Sequence, residues 1–246
     1  MKTNTLLAAA AILAVGGLAA QAQVYSQNVV GYYNVTVPAG KFALVANQLQ
    51  NADGTNGISD VFSGGLASQT SLLYLWNGST FVPYTYYSAA DAAPSPAGFY
   101  DGNGNPAANT LNPAQGAFLF NGEASPITVT VVGTVIQGAT TNYVTQGFAP
   151  YGIVQPISTN LDSSLVRFPA VSQSTDYYHW NGAGYDAALT YYSAADAAPS
   201  PAGWYDGNGN PQSSNPAYWP TVGQGFFINL YSGGGSLTWT NTFTVQ

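Results

Sequence analysis

The sequence predicts an all-β protein made of two tandem β-sandwich or small-barrel repeats, and three observations carry that prediction. The stretch YSAADAAPSPAGFYDGNGNP, Tyr87 to Pro106, recurs as Tyr192 to Pro211 with one change, Phe99 against Trp204. Thr85-Tyr86 and Thr190-Tyr191 extend the match upstream. A match of this length marks an internal duplication, so the chain holds two versions of one unit. Short apolar and polar alternations separated by Gly, Pro and Asn turns are the pattern of strands. No long helical pattern interrupts them, which leaves sandwiches or small barrels as the architecture.

Taken in order, Val29-Val30-Gly31 opens the first unit, and Tyr33, Val35 and Val37 alternate with Asn34 and Thr36 as a strand with one buried face. Pro38-Ala39-Gly40 turns the chain into Phe42 to Ala46, a core strand. Ile58 to Phe62 reads as one helical turn. Ser71 to Trp76 and Thr80 to Tyr87 flank Asn77-Gly78, a hairpin pattern. Asn112 to Gly116 turns into the strand Ala117 to Phe120, and Ile127 to Val132 closes the unit. In the second unit Tyr151 to Val154 takes the place of the Phe42 strand, and Asn181-Gly182 marks the hairpin. Phe226 to Ile228 follows Gln224-Gly225. The last strand sets Leu237, Trp239, Phe243 and Val245 against threonines. The units are expected to span residues 23–132 and 133–246 and to abut without a flexible linker.

Within the duplicated stretch, Ser88 and Ser193 are placed to cap a helical turn over the alanines. Pro94 and Pro199 end that turn, because a proline pushes the preceding residue out of the α region. Gly98-Phe99-Tyr100 and Gly203-Trp204-Tyr205 begin short strands that run into Asp-Gly-Asn-Gly-Asn-Pro, whose glycines and asparagines suit tight turns. The same run sets oxygens at alternate positions, Asp101, Asn103 and Asn105, then Asp206, Asn208 and Asn210, as in a calcium loop. Proline stands where that loop needs glycine and no closing glutamate follows. A turn is therefore the first reading, and calcium the second.

Met1-Lys2, the apolar run Leu6 to Ala20 and the small triplet Ala20-Gln21-Ala22 read as a Sec-type secretory signal peptide, residues 1–22, cleaved before Gln23. The run is short and rich in alanine and glycine for a membrane span. A secreted or cell-surface location with no span after processing is the expectation. The terminal aromatic usual in outer-membrane barrels is absent from Thr244-Val245-Gln246, which sets that architecture behind. With no cysteine, the fold forgoes disulfides. Charged residues make up 5% of the chain, with 3 Lys and Arg against 10 Asp and Glu. Typical domains carry about 25% charged residues. Removal of Lys2 leaves Lys41 and Arg167 as the only cations. Nucleic acid is excluded as a partner, because phosphate binding needs clustered Lys and Arg.

Ala43 to Leu49, the Asp60-Val61-Phe62 turn, Trp76-Asn77-Gly78 and the Pro-Ala-Gln-Gly-aromatic strand resemble secreted β-repeat proteins of verrucomicrobial and related bacteria. The likeness covers nearly the whole mature chain. It implies a β-repeat fold and brings no assigned activity. The second unit departs from the pattern at Gln155-Pro156-Ile157.

The catalytic inventory is thin. His179 is the sole histidine, so neither a zinc cluster nor a Cys-His pair is available. A Ser-His-Asp triad would need His179, and no Gly-x-Ser-x-Gly elbow presents a serine. Paired carboxylates are conceivable only from Asp91 with Asp101 or Asp196 with Asp206. The chain is therefore read as a non-enzyme without an obligate cofactor. Its expected role is a structural or adhesive protein of the cell surface or extracellular matrix, with itself or other surface proteins as partners. The alternative is carbohydrate binding, with Tyr86, Tyr87, Phe99, Tyr100, Tyr192, Trp204 and Tyr205 stacking on a polysaccharide and Asp101 and Asp206 accepting hydroxyl bonds. The exposure of Trp204 and Tyr205 separates the two readings.

Overall fold

A computed structural model describes residues 29–62, 64–231 and 235–245; the signal peptide reading falls outside these residues. Among them are fourteen strands and three single-turn α-helices. The first repeat contains β1 (Val30–Val37), β2 (Phe42–Ala46), α1 (Ile58–Val61), β3 (Ser71–Trp76), β4 (Phe81–Tyr87), α2 (Ala89–Ala92), β5 (Gly98–Tyr100), β6 (Gly116–Asn121) and β7 (Ile127–Thr134). The second contains β8 (Gly138–Val144), β9 (Gly147–Tyr151), β10 (Thr175–Tyr178), β11 (Leu189–Tyr192), α3 (Ala194–Ala197), β12 (Gly203–Tyr205), β13 (Phe226–Leu230) and β14 (Leu237–Phe243).

Each repeat is a β-sandwich of a five-stranded sheet and a two-stranded ribbon. The sheets run β2-β6-β3-β4-β5 and β9-β13-β10-β11-β12, and the ribbons pair β1 with β7 and β8 with β14. All pairings are antiparallel, and neither sheet closes into a barrel. The first and last strands of each repeat thus meet as its ribbon. Alternation drives this: Tyr33, Val37, Val129 and Val131 turn inward onto Leu73, Val45, Ala117 and Leu119, while the threonines between them face out. In the second repeat Val144 and Trp239 from the ribbon meet Ile153, Tyr177, Phe226 and Ile228.

Three departures from the sequence reading have physical causes. β8 was not expected, because Gly138 to Asn142 carries little apolar signal; it is held by pairing with β14, whose Asn241 accepts from the Thr140 hydroxyl and donates to Gln155 at 2.8 Å. β9 runs from Gly147 to Tyr151 rather than from Tyr151 onward, with Pro150 tolerated because β9 is a sheet edge. β7 continues past Val132 to Thr134, where Thr134 and Gln50 exchange backbone hydrogen bonds of 2.8 and 2.9 Å. The join between repeats therefore lies at residues 135–137.

The repeats meet about an internal two-fold. Ala46 N–H donates to the Gly223 carbonyl at 2.9 Å, and its counterpart Gly152 N–H donates to the Ala114 carbonyl at 2.9 Å. The bridges Val45–Gln224 and Tyr151–Gln115 are related in the same way. Ala114 and Gly223 share positive φ, 75° and 80°, so one turn geometry serves both copies. Close approach demands glycine at 152, where a Cβ would stand 2.2 Å from the Ala46 Cβ. Outward faces of the two large sheets then bury each other: Phe118 contacts Phe227 and Trp180, with ring centroids 5.9 and 4.9 Å apart, and Phe81 lies 6.1 Å from Phe227. Gln48 ties the seam, donating to the Gln155 carbonyl at 3.0 Å and accepting from Gly223 N–H at 2.6 Å. Ribbon, sheet, sheet and ribbon stack in that order around three apolar clusters.

Candidate functional site

The duplicated stretch folds identically in both repeats, and its aromatics point into the cores. Phe99 and Trp204 are 0% exposed, Tyr100 6% and Tyr205 5%. They occupy the three-residue strands β5 and β12, whose outer edges are covered by Pro106-Ala107 and Pro211-Gln212. A ring enclosed this way offers no face to a sugar: the alternative in which these four residues stack on polysaccharide is corrected, and the core position that strand alternation favours is the one they take. Tyr87 and Tyr192 are half-buried and lie edge-on to Tyr100 and Tyr205 at 5.4 and 5.5 Å. Their ring edges are committed to a neighbour within the same stretch.

The rest of the stretch holds itself in place. Ser88 caps α2, accepting from Asp91 N–H at 3.3 Å, and the Asp91 carboxylate accepts from Ser88 and Ser68 hydroxyls at 2.6 and 2.5 Å. Ser193, Asp196 and Ser172 repeat the arrangement. The Tyr100 and Tyr205 hydroxyls donate to the carbonyls of Pro96 and Pro201, and the peptides Ala93–Pro94 and Ala198–Pro199 are cis. Hydroxyl donors from Ser68 and Ser88 hold the Asp91 carboxyl below the usual range, and Ser172 and Ser193 do the same for Asp196.

In the DGNGN loop, Asp101 Oδ1 accepts from the backbone N–H of Asn103 and Asn105, both at 2.9 Å. Asn105 turns its side-chain NH2, not its oxygen, to Asp101 Oδ2 at 3.2 Å, as Asn210 does to Asp206 at 3.1 Å. Asp101 and Asp206 thus spend their carboxylates on amides of the same loop, the use that the turn reading expects. Each aspartate closes its own turn, and the backbone amides of Asn105 and Asn210 hold its carboxyl below the usual range. Asp91 and Asp101 are each tied into a separate turn.

His179 lies at the seam. Its Nδ1 meets Asp186 Oδ2 at 2.7 Å and its Nε2 lies 3.1 Å from Gln224 Nε2, which also donates to the Trp180 carbonyl. Both ring nitrogens are engaged inside the fold, with no serine among the partners.

The internal two-fold creates two related grooves. One of about 530 Å3 lies between the β3–β4 hairpin and β8, floored by the Asn112–Gly116 turn and by Pro150 and Tyr151. Its counterpart of about 460 Å3 lies between the Trp180 hairpin and β1, floored by Thr221–Gln224 and by Leu44. Trp76-Asn77-Gly78 and Trp180-Asn181-Gly182 sit at equivalent positions. In the second groove Asn181 donates to Asp186 at 2.8 Å and Gln224 is bound to Trp180, so its amides are engaged internally. In the first, Asn77 and Gln115 use only their oxygens, each on neighbouring backbone amides. The sequence reading took the hairpin and the Pro-Ala-Gln-Gly turn as structural and did not see β8, so this groove went unrecognised. The duplicated hairpin tryptophan was the available signal.

No helix among the described residues is long and apolar enough to cross a membrane. No family model, curated protein or solved structure matches the chain.

Proposed function

We propose that the protein is a secreted, non-enzymatic structural or adhesive component of the cell surface or extracellular matrix. It acts by associating with itself or with other surface proteins. The observation that carries this reading is the outer face of the β1–β7 ribbon. Val30, Tyr32 and Val132 are 71, 74 and 57% exposed there, with Tyr32 directly opposite Val132. They continue into the uncharged pairs Asn34–Thr130, hydrogen-bonded at 2.8 Å, and Thr36–Thr128 at 3.1 Å. A face with exposed apolar side chains and no charge is the kind of surface that self-associates. Among the described strands β1 pairs only with β7, so its outer edge keeps backbone groups able to add a strand, while the Thr134 end of β7 is already joined to Gln50. A surface with so few charges repels a second copy weakly. Export rests on the signal peptide of residues 1–22.

Light scattering and negative-stain microscopy of the chain starting at Gln23, at rising concentration, test the reading. Concentration-dependent association that Tyr32→Asp abolishes is the expected result. A protein that stays monomeric throughout overturns it.

A further inference from the structure

We infer that the groove between the Trp76 hairpin and β8 binds a neutral oligosaccharide. Five observations converge on that chemistry. At about 530 Å3 the groove lies within the range of ligand clefts, roughly 300–1,000 Å3. No Asp, Glu, Lys, Arg or His lines it. A phosphate or carboxylate ligand would enter without a countercharge, which disfavours both.

Aromatic surface is nevertheless present on both walls. Trp76 is half-buried and backed by Phe81 at 5.0 Å, with Tyr84 also on the lining, and Tyr143 stands 67% exposed on β8. Among the described residues, the side-chain NH2 groups of Asn77 and Gln115 and the whole amide of Asn142 make no hydrogen bond. A purely apolar ligand would cover these amides and leave them unsatisfied. A sugar ring has both an apolar face for the aromatics and a hydroxyl rim for the amides.

Divergence between the two grooves points the same way. In the related groove Asn181 and Gln224, the counterparts of Asn77 and Gln115, are tied to Asp186 and Trp180, and Val35 and Thr36 stand where Asn142 and Tyr143 do. One duplicate has closed its polar groups on itself, and the other keeps them open. The inference stands apart from self-association, which uses the outer face of the other ribbon.

Affinity electrophoresis of the chain starting at Gln23 tests it, with laminarin, xylan, dextran and galactomannan as neutral probes and alginate and pectin as anionic ones. Retention by at least one neutral glycan is expected, weakened roughly tenfold by Tyr143→Ala and by Asn142→Ala, a difference of about 1.4 kcal/mol. Leu165→Ala, exposed elsewhere, is expected to bind as the parent does. Circular dichroism melts of each variant show whether the fold is kept. Retention by none of the neutral glycans, preference for the anionic ones, or loss on Asn181→Ala but not on Asn142→Ala overturns the assignment. A monomeric protein that binds neutral glycan through Tyr143 upholds it while ending the self-association reading.

Discussion

Trp204 offers the sharpest test of how the duplicated stretch works. Its ring is fully enclosed by Tyr191 at 5.5 Å, Tyr177 at 6.0 Å, and Phe168 and Trp219, both at 6.2 Å. Truncation to alanine opens a cavity that four large rings and two sheet layers cannot refill. Trp204→Ala is therefore expected to cost about 3–5 kcal/mol. For a chain of this size each kcal/mol lowers Tm by roughly 2–4 °C, so the melt should drop by roughly 6–20 °C.

Phenylalanine is the natural occupant of the same site in the first repeat, and Trp204→Phe separates volume from polarity. The indole Nε1 is buried with no hydrogen-bond partner; burial raises the nearby Asp162 carboxyl, and the Ser213 hydroxyl first and the indole second pull against that rise. Removing an unpaired buried N–H relieves about 1–3 kcal/mol. The smaller ring leaves a partial cavity that costs on the order of 1 kcal/mol. The balance runs from about zero to a gain of about 2 kcal/mol, so Trp204→Phe should be as stable as the parent or slightly more so. Urea and thermal unfolding followed by circular dichroism measure both variants. A Trp204→Ala melt within 2 °C of the parent, below the roughly 6 °C minimum, would refute the burial argument. A Trp204→Phe variant as unstable as alanine would show that the N–H contact with Asp162 outweighs packing.

Residues 29–137 alone, lacking the second repeat, uncover Phe42, Leu44, Phe81 and Phe118. Because the seam is two-fold, that fragment is expected to run as a homodimer in size-exclusion chromatography with light scattering; a stable monomer contradicts the shared aromatic layer. Gly152→Val drives a side chain into Ala46 and is expected to lower Tm without changing the β-type spectrum, whereas an unchanged melt means the seam is looser than described. Asp91, Asp101, Asp196 and Asp206 titrate below the ordinary value in the folded state, so their contribution is present above about pH 4 and is lost as pH falls through their folded pKa values. Asp162 is raised by burial and runs the other way, costing stability once ionised. Melts from pH 7 to 3 should therefore fall on the acid side, and Asp162→Asn should raise Tm at neutral pH while keeping that acid limb.

The sequence by itself determined the class, not the choice of sandwich over small barrel: strand periodicity, Asn-Gly hairpins and an internal copy suffice for two β-repeats, and Ser88 and Ser193 announce their caps through local chemistry alone. Those features depend on neighbours within a few residues, which is why they were legible. The short-range reading failed where the partner lies far along the chain. Pairing of β1 with β7 and of β8 with β14 brings together strands about a hundred residues apart, and β8 is too polar to declare itself without its partner. Only the tertiary structure decided which aromatics are buried, because alternation names two faces of a strand but not which face meets another layer. Phe99 and Trp204 suit either a core or a sugar platform in sequence, with alternation favouring the core, and the fold buries both. Trp76, Asn142 and Tyr143 look like parts of a hairpin and a polar loop, and they become a groove because the second repeat folds back across the first.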